Sequence, residues 1–209
     1  MAQRTTDGVA WPPRPVVSGE EWLARPEDAR PSGWVDGEVV ELIPPKTIHQ
    51  AIIVLLTQFV GLFVSFRGVG RLFVSAYEMK LLDSSREPDP LVVANASLGR
   101  IDDNRLTGPA DLAIEIVSDD SVEKRAEDEA AGVREYWILD PRPGQFAFEM
   151  LVLGNDRRYA PVAPDEAGRD RSVVLPGFWL DPAWFRPEPL PQLAALIAAI
   201  VTDVEPTGA

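Results

Sequence analysis

The sequence predicts an α/β or α+β layer fold, and three patterns indicate it. An apolar stretch of helical periodicity covers about 47–66, short strand-like apolar segments follow, and a charged helical segment separates two of them near 120–131. Helix, strands, helix and strand, with a β extension behind them, is typical of a sheet covered by helices. The chain has 209 residues and 45% hydrophobic content, which is enough for one domain with a sizeable core.

The predicted domain spans 18–185, between a leader and a C-terminal tail. Residues 1–17 carry prolines and no apolar period, which is typical of a flexible leader. Ser18 and Glu21 have the spacing of a capping box that opens a short helix. Residues 186–209 are predicted to form a proline-rich link and a short apolar helix, which we expect to dock on its own domain or on a second subunit. This tail and the sheet edges make a homodimer a reasonable expectation.

Turn residues and apolar alternation predict the remaining elements. Asp36-Gly37 lies between two alternating arms and predicts a β-hairpin, and Gly68 is expected to end the long helix. A strand over 71–82 changes parity near Ala76, which indicates a bulge there. The other expectations are a turn at 83–85, strands at 87–94, 112–117, 133–139, 145–153 and about 158–162, and an irregular crossing at 95–110.

Composition excludes several kinds of site. The chain has no cysteine, which rules out disulfides, thiolate metal ligands and a cysteine nucleophile. His49 is the only histidine, so a multi-histidine metal site is ruled out as well. We find no signal-peptide pattern and judge the apolar stretches too short or too interrupted to span a bilayer, so we expect a soluble cytoplasmic protein with no membrane partner.

The formal net charge of −13 bears on nucleic-acid binding. Proteins that bind nucleic acid usually carry a basic surface, which supplies most of the non-specific affinity. The acidity therefore argues against tight DNA binding by a lone monomer. A local cluster such as Lys124 and Arg125 can nevertheless coexist with an acidic average.

Two acidic residues stand at unusual places in the predicted sheet. Asp89 is at the entry of one apolar strand, and Glu115 is inside the next. An acid in an apolar strand is costly unless a partner compensates it, and a divalent cation is one candidate partner. The alternatives are a strand-entry turn acid for Asp89, and a solvent-facing or arginine-paired acid for Glu115.

Several motifs, in order over roughly 33–185, resemble the Uma-two family of proposed restriction endonucleases within the PD-(D/E)XK nuclease superfamily. Each motif is weak alone, and their common order and spacing make the resemblance specific. The motifs are Val35-Asp-Gly-Glu-Val-Val-Glu-Leu, His49-Gln50, Tyr77-Glu-Met-Lys, Arg86-Glu-Pro-Asp, Gly108-Pro-Ala-Asp-Leu-Ala-Ile-Glu-Ile-Val-Ser118, Gly132-Val-Arg-Glu-Tyr-Trp-Ile-Leu-Asp-Pro141 and Leu175-Pro-Gly-Phe-Trp-Leu180.

The resemblance implies a PD-(D/E)XK nuclease-like core, in which helices flank a central mixed β-sheet with an N-terminal hairpin and a C-terminal β extension. It implies a long helix, a three-stranded meander, a second helix and a further strand. Asp89 and Glu115 match the family's acidic positions and would hold Mg²⁺ or Mn²⁺ where the middle strands meet. Such a metal binds the scissile phosphate and activates a water.

The chain lacks one superfamily residue, as is typical of the family, and departs from the family pattern itself in the segment after Ser118 and at Pro90. The superfamily lysine two positions after the glutamate is Val117 here, and relatives supply a lysine from the following helix, after an aspartate four positions earlier. Asp120 and Lys124 have that spacing, but the connecting segment is shorter and Asp128 stands near the place of a family tyrosine. Pro90 replaces an apolar strand residue and would remove a ladder donor.

Other readings of these residues stay open at this point. Asp120 and Lys124 could form an exposed i,i+4 pair, and His49 could be a polar cap or a packing residue that approaches the site. Glu38 or Glu41 could complete a metal site, although solvent-facing strand carboxylates are common. The aromatic pair Tyr136-Trp137 reads most simply as core.

The leading function from the sequence is a Mg²⁺-dependent endonuclease acting on DNA, with catalytic residues Asp89, Glu115 and Lys124. The alternative is a catalytically degenerate family member that folds but does not cut, and acts as a binding or regulatory protein. A third reading is a nuclease acting on RNA or another phosphodiester. Nothing in the residues separates DNA from RNA.

Overall fold

The computed structural model describes residues 16–18, 21, 32–35, 38–41, 46–81, 85–117, 121–186 and 189–203. The chain divides into two compact units, Met1–Pro45 and Lys46–Ala209. Most of the predicted leader, the two hairpin turn residues, two of the three residues of the turn expected at 83–85, and Asp120 lie outside the described residues. The predicted domain boundaries stay a prediction.

The first unit contains the predicted capping box and hairpin. The Glu21 N–H donates to Ser18 Oγ at 3.2 Å, and the Ser18 N–H donates to Glu21 Oε2 at 2.8 Å, as the capping box requires. Strands β1 (Ser32–Val35) and β2 (Glu38–Glu41) pair antiparallel, with Val35 opposite Glu38. The hairpin therefore closes over two residues, as the sequence predicts.

The second unit contains the sheet and its covering helices. Its 3-10 helices are Asn95–Arg100 and Pro182–Phe185. Its other elements, in chain order, are α1 (Thr47–Arg67), β3 (Gly70–Val74), β4 (Glu78–Lys80), β5 (Ser85–Arg86), β6 (Pro90–Ala94), β7 (Arg105–Thr107), β8 (Leu112–Ile116), α2 (Ser121–Ala131), β9 (Glu135–Asp140), β10 (Ala147–Leu153), β11 (Tyr159–Pro161), β12 (Asp170–Arg171), β13 (Trp179–Leu180) and α3 (Leu193–Asp203).

The main sheet has six strands in the order β11-β10-β9-β8-β6-β3. Strands β8 and β9 pair in parallel, while the other neighbours pair antiparallel. The meander of β3, β6 and β8, followed by α2 and by β9, is the expected nuclease-like core with a mixed sheet. The fold class predicted from the sequence is therefore confirmed.

Each face of the sheet has its own core, because alternate strand residues point to opposite faces. On β8, Leu112, Ile114 and Ile116 pack with buried residues of α1 and α3, in what we name the first core. Ala113 packs on the opposite face with Met79, in the second core. The whole of β8 is buried, as its near-continuous apolar sequence predicts.

Helix α1 covers the first core and ends at Gly68, whose φ of 59° is the left-handed conformation that favours glycine. By length and composition alone α1 is apolar enough to cross a bilayer, which differs from our expectation that every apolar stretch is too short or too interrupted. One face of α1, which includes Phe59 and Phe63, is buried against the core. This packing accounts for the apolar character of α1. The length and composition of one such helix are therefore weak evidence for a membrane span.

The expected strand over 71–82 is wrong as a single element. Strand β3 stops at Val74, and β4 belongs to a separate three-stranded sheet of order β5-β4-β7. The chain leaves the main sheet because Tyr77 stacks on Phe73 at 4.2 Å between ring centroids, and Met79 is buried in the second core. The parity change at Ala76 marks this change of sheet, and part of the crossing expected to be irregular is β7, paired with β4.

The C-terminal helix α3 packs on the chain itself. Its residues Leu196 and Ile200 are buried in the first core, and Leu193 and Ile197 pack against that core. Of the two docking modes that the sequence left open, this one is present in the structure.

A buried carboxylate links β9 to the segment before β13. Glu135 is fully buried and accepts hydrogen bonds from the Val174 N–H at 2.7 Å, the Val173 N–H at 2.8 Å, Ser172 Oγ at 3.0 Å and Trp137 Nε1 at 2.6 Å. Burial raises the pKa of Glu135, and these hydrogen bonds oppose that rise. Four donors aimed at one carboxyl group make it a structural anchor.

Replacing Glu135 with glutamine should destabilise the fold. Glutamine can keep its oxygen toward the three donors that contact Oε2, but its N–H groups would then face Trp137 Nε1. One buried donor loses its acceptor, at a cost of about 1 to 3 kcal/mol in free energy of unfolding. Urea denaturation of Glu135→Gln checks this. Glu149→Gln, on the exposed part of β10, is the control and should change stability by less than about 0.5 kcal/mol. Equal stability of the two variants would contradict the anchor role.

Candidate active site

The register of the middle strands brings the two predicted acids together. Strands β6 and β8 pair antiparallel with Leu91 opposite Ala113, and Asp89 lies just before β6, where its Oδ2 accepts a hydrogen bond from the Ile116 N–H, the backbone group that follows Glu115 in β8. Ala113 packs in the second core, so alternation along β8 directs Glu115 toward that face of the sheet. The sequence alone had placed these acids on adjacent strands only through the family resemblance.

Asp89 is held at the edge of the sheet by its neighbours. The Ile116 N–H donates to Asp89 Oδ2 at 2.9 Å, and His49 Nε2 lies 3.5 Å from the same oxygen. The side chains of Asp89 and His49 are 17% and 16% exposed. His49, in the first turn of α1, therefore approaches the site. Of the two roles that the sequence left open for this histidine, this is the less common one.

Pro90 does not disturb this arrangement. It is the first residue of β6 and lies opposite Val74 of β3. Proline is tolerated at the first position of a strand, because the missing N–H costs the ladder little there. The oddity seen in the sequence is thus compatible with the local structure.

Lys124 meets the second acid. Its Nζ donates to Glu115 Oε1 at 2.5 Å, and the two side chains are 23% and 5% exposed. Lys124 lies in the first half of α2, which begins shortly after β8 ends, so a short connection returns the helix to its own strand. A carboxylate this buried needs a compensating charge, and the ammonium supplies it. Lys124 therefore faces the site, while its pairing with Asp120 lies outside the described residues.

A second layer of polar groups lies near Lys124, and the sequence reasoning gave it no role. Asp128, one helical turn after Lys124, is 4% exposed, and burial raises the pKa of its carboxyl group to about 7. Arg86 and Lys124 oppose that rise, and Glu127 adds to it. Burial also raises the pKa of Tyr136, helped by Glu115 and Asp128. In the sequence, the four-residue spacing of Lys124 and Asp128 indicates that the two side chains lie on the same face of a helix, and this was the available sign that Asp128 is near the site.

Three atoms of this layer have no hydrogen-bond partner among the described residues: Asp128 Oδ1, the Tyr136 hydroxyl and Arg86 Nε. Arg86 still pairs with Glu127, at 2.7 Å. Buried polar groups normally have partners, so each exception calls for an explanation, such as a bound water or a functional role. Asp128 interacts electrostatically with Arg86 and Lys124, and Tyr136 with Asp128 and Arg86. The core reading of Tyr136 and Trp137 is correct as far as burial goes, since they are 1% and 0% exposed.

The donor set is compatible with a hydrated Mg²⁺ and not with a complete protein cage. Among the residues that the structure describes, no group of three histidine or acidic side chains is placed to hold a metal. Asp89 and Glu115 are two carboxylates, and Mg²⁺ is often held by one or two carboxylates together with waters and substrate phosphate. The side chains of Glu38 and Glu41 lie outside the described part, so a third acid from there stays a prediction.

Comparison with known proteins identifies the family of the chain. The Uma2 family, described as "Putative restriction endonuclease", matches residues 20–183. The chain belongs to the Uma2 family. The match covers most of the chain and includes every residue of the site just described.

A solved structure also resembles this Uma2 protein. It is described as a "putative nuclease belonging to DUF820" from Anabaena variabilis ATCC 29413. The TM-score is 0.57 at 19% sequence identity, and the alignment covers 79% of this chain and 95% of the other. At this identity the likeness shows a shared nuclease-like fold. No curated protein matches the chain.

The raised pKa of Asp128 predicts how stability depends on pH. Between about pH 4 and pH 7 the unfolded state loses this proton while the folded state keeps it, so stability falls as pH rises. Asp128→Asn removes this effect. The free energy of unfolding of the variant minus that of the wild type should therefore increase by roughly 2 to 3 kcal/mol when the pH is raised from 5 to 8.

Urea denaturation at both pH values measures that difference. Asp140→Asn is the control, because Arg142 holds the pKa of Asp140 below its usual value. The stability that Asp140 contributes is lost only as pH falls below its unfolded pKa, so its variant should show no such gain between pH 5 and pH 8. If the free energies of unfolding of Asp128→Asn and wild type differ by the same amount at pH 5 and pH 8, the pKa of Asp128 is not raised in the folded protein.

Proposed function

We propose that this protein is a divalent-metal-dependent endonuclease that hydrolyses DNA phosphodiester bonds. The observation that carries the proposal is a pair of contacts at one end of β8. The Ile116 N–H donates to Asp89 Oδ2 at 2.9 Å, and Lys124 Nζ donates to the neighbouring Glu115 at 2.5 Å. Asp89 and Glu115 would hold Mg²⁺ or Mn²⁺, and Lys124 would be the positive group near the substrate. The family's description as a restriction endonuclease supports nuclease chemistry, and DNA as the substrate is the finer part of the proposal.

Each residue of the candidate site has its own role in the proposed reaction. A bound divalent ion would supply Lewis-acid activation of a water and charge neutralisation at the phosphate. The Ile116 N–H and His49 orient the Asp89 carboxylate. Lys124, fixed on α2, presents a positive charge where negative charge develops on the phosphate oxygens.

The non-cutting alternative rested on Pro90, the shortened α2 segment and the acidic net charge. Pro90 occupies the first position of β6, and the short segment still delivers Lys124 to Glu115. Both features are compatible with a working site, so we favour cleavage over a purely regulatory role. A homodimer would supply two such sites for the two strands of a duplex, and we include it in the proposal.

Metal binding is the first test, because it needs no substrate. Calorimetric titration with Mn²⁺ and Mg²⁺ should show saturable binding to the wild type. Asp89→Asn and Glu115→Gln should each weaken it about tenfold or more, because each removes a carboxylate ligand.

Asp140→Asn is the matched control, since Asp140 is an acid at the end of β9 that pairs with Arg142 instead. Its affinity for both ions should equal that of the wild type. Titrations in which all four proteins behave alike would remove the metal from the proposal.

Replacing Lys124 separates binding from chemistry. Lys124→Met should lower the rate of DNA cleavage by about 10²- to 10³-fold, because a positioned charge at the reacting phosphate is lost. Its Mn²⁺ affinity should be equal to or tighter than that of the wild type, because the ammonium no longer competes for Glu115. Cleavage of plasmid DNA and calorimetry measure the two effects.

Arg125→Met is the control for that pair of measurements. Arg125 is the next residue on α2 and contacts Glu149 at 3.5 Å, away from Glu115. Its removal should leave the cleavage rate within about twofold of the wild type. If Lys124→Met cuts as fast as Arg125→Met, Lys124 has no catalytic role.

A further inference from the structure

A pocket with two arginines and an aromatic ring opens beside the candidate site. It is formed by the turn between β9 and β10 and by the residue that follows the second 3-10 helix. Its cavity volume is about 310 Å³, which is the bulk of roughly ten water molecules. Its lining residues are Arg142, Pro143, Gly144, Phe146 and Arg186.

The topology places this pocket at the same edge of the sheet as Glu115. Strand β9 is the parallel neighbour of β8, with Glu115 opposite Ile138. Asp140 is two residues further along β9, so its Cα lies roughly 8 Å from that of Glu115, given the usual strand spacing and rise. The turn that builds the pocket begins directly after Asp140. The pocket therefore lies within a few nucleotides of the reacting phosphate of any strand bound at the site.

Arg186 is the group best placed to bind an anion there. Its guanidinium carbon lies 5.5 Å from the centroid of the Phe146 ring, so a cation–π contact holds the side chain over the ring. Arg186 is exposed and has no acidic partner among the described residues. A guanidinium plane held in this way keeps an outer face for stacking and several N–H donors for oxygen acceptors.

The rest of the pocket shapes the approach to Arg186. Asp140 accepts from Arg142 Nη2 at 2.6 Å and from its Nε at 2.9 and 3.0 Å, which fixes that side chain along the wall. Gly144 has a φ of 76°, and a Cβ built there would meet no atom within 4 Å. A ligand can thus approach the turn backbone without a side chain in the way.

We propose that this pocket binds one nucleotide of the nucleic-acid strand that enters the candidate active site. The Arg186 guanidinium stacks on the base and donates to its phosphate, and Phe146 supports the guanidinium from behind. Bases commonly stack on aromatic rings and guanidinium planes when a single strand is bound. A protein with a net charge of −13 has no general basic surface, so a strand needs local anchors of this kind. The proposal rests on the proposed function.

Fluorescence anisotropy with a short labelled single-stranded oligodeoxynucleotide tests it in EDTA, so that neither metal nor cleavage is needed. Arg186→Ala should weaken binding about 5- to 100-fold, the range expected from loss of one stacked base. It should also lower the slope of log affinity against log salt by about 0.7, the contribution of one phosphate contact to a single strand.

Arg67→Ala is the matched control. Arg67 also lies over a phenylalanine, 5.9 Å from the Phe63 ring, but at the far end of α1 and the opposite edge of the sheet. Its affinity for the oligonucleotide should equal that of the wild type. Thermal unfolding checks that both variants are folded, and Arg186→Gln serves in place of Arg186→Ala if the latter is not.

Each outcome decides between the two proposals. Loss of binding in the Arg186 variant alone supports the pocket, whether or not metal binds at Asp89. Equal binding by the Arg186 and Arg67 variants and wild type, or no binding by the wild type, overturns it. A wild type that binds Mn²⁺ and cuts DNA while Arg186→Ala cuts with unchanged KM keeps the endonuclease and removes the pocket. Binding that needs Arg186 without any metal binding removes the endonuclease alone.

Discussion

The compensation of a carboxylate inside a buried strand is the constraint on which the rest of the site depends. Glu115 is in β8, every residue of which is buried, and a lone charge there would be strongly unfavourable. The ammonium of Lys124 meets it at 2.5 Å. Because Lys124 is on α2, this contact ties the helix to the strand that precedes it. Tyr136, on the neighbouring strand β9, interacts electrostatically with both Glu115 and Asp128. The Lys124–Glu115 contact thus contributes both to the docking of α2 and to the chemistry of the candidate site.

Buried acids recur in this fold, and the structure satisfies them in different ways. Glu135 receives four hydrogen bonds and holds the segment before β13. Asp111 accepts from the Ala94 N–H at 2.9 Å and lies near two arginines, at the opposite end of β8 from Glu115. Asp128 has an oxygen without a partner among the described residues. The first two are closed structural anchors. In the candidate site, Glu115 is equally buried and pairs with Lys124, whereas the Asp89 side chain is 17% exposed.

Local patterns in the sequence predicted much of the fold. The apolar period of α1, the alternation that indicates β10 and the two-residue hairpin loop all depend on neighbours within a few positions, and the structure confirms them. The strand expected over 71–82 failed for the opposite reason. Its residues alternate as in one strand, but the burial of Met79 and the stacking of Tyr77 come from partners distant in the chain. Such contacts leave no periodic signal.

By itself, the sequence determined the element types, the nuclease-like fold class and the identity of the two candidate acids, because apolar periodicity, turn chemistry and ordered motifs are local properties of the chain. Only the tertiary structure decided that His49 approaches Asp89, that Lys124 turns toward Glu115, and that Tyr136 interacts electrostatically with Glu115 and Asp128. It also decided that Arg186 and Phe146 meet across 40 residues of chain. These outcomes depend on strand register and on which faces are desolvated, and both are set by packing between segments far apart in sequence.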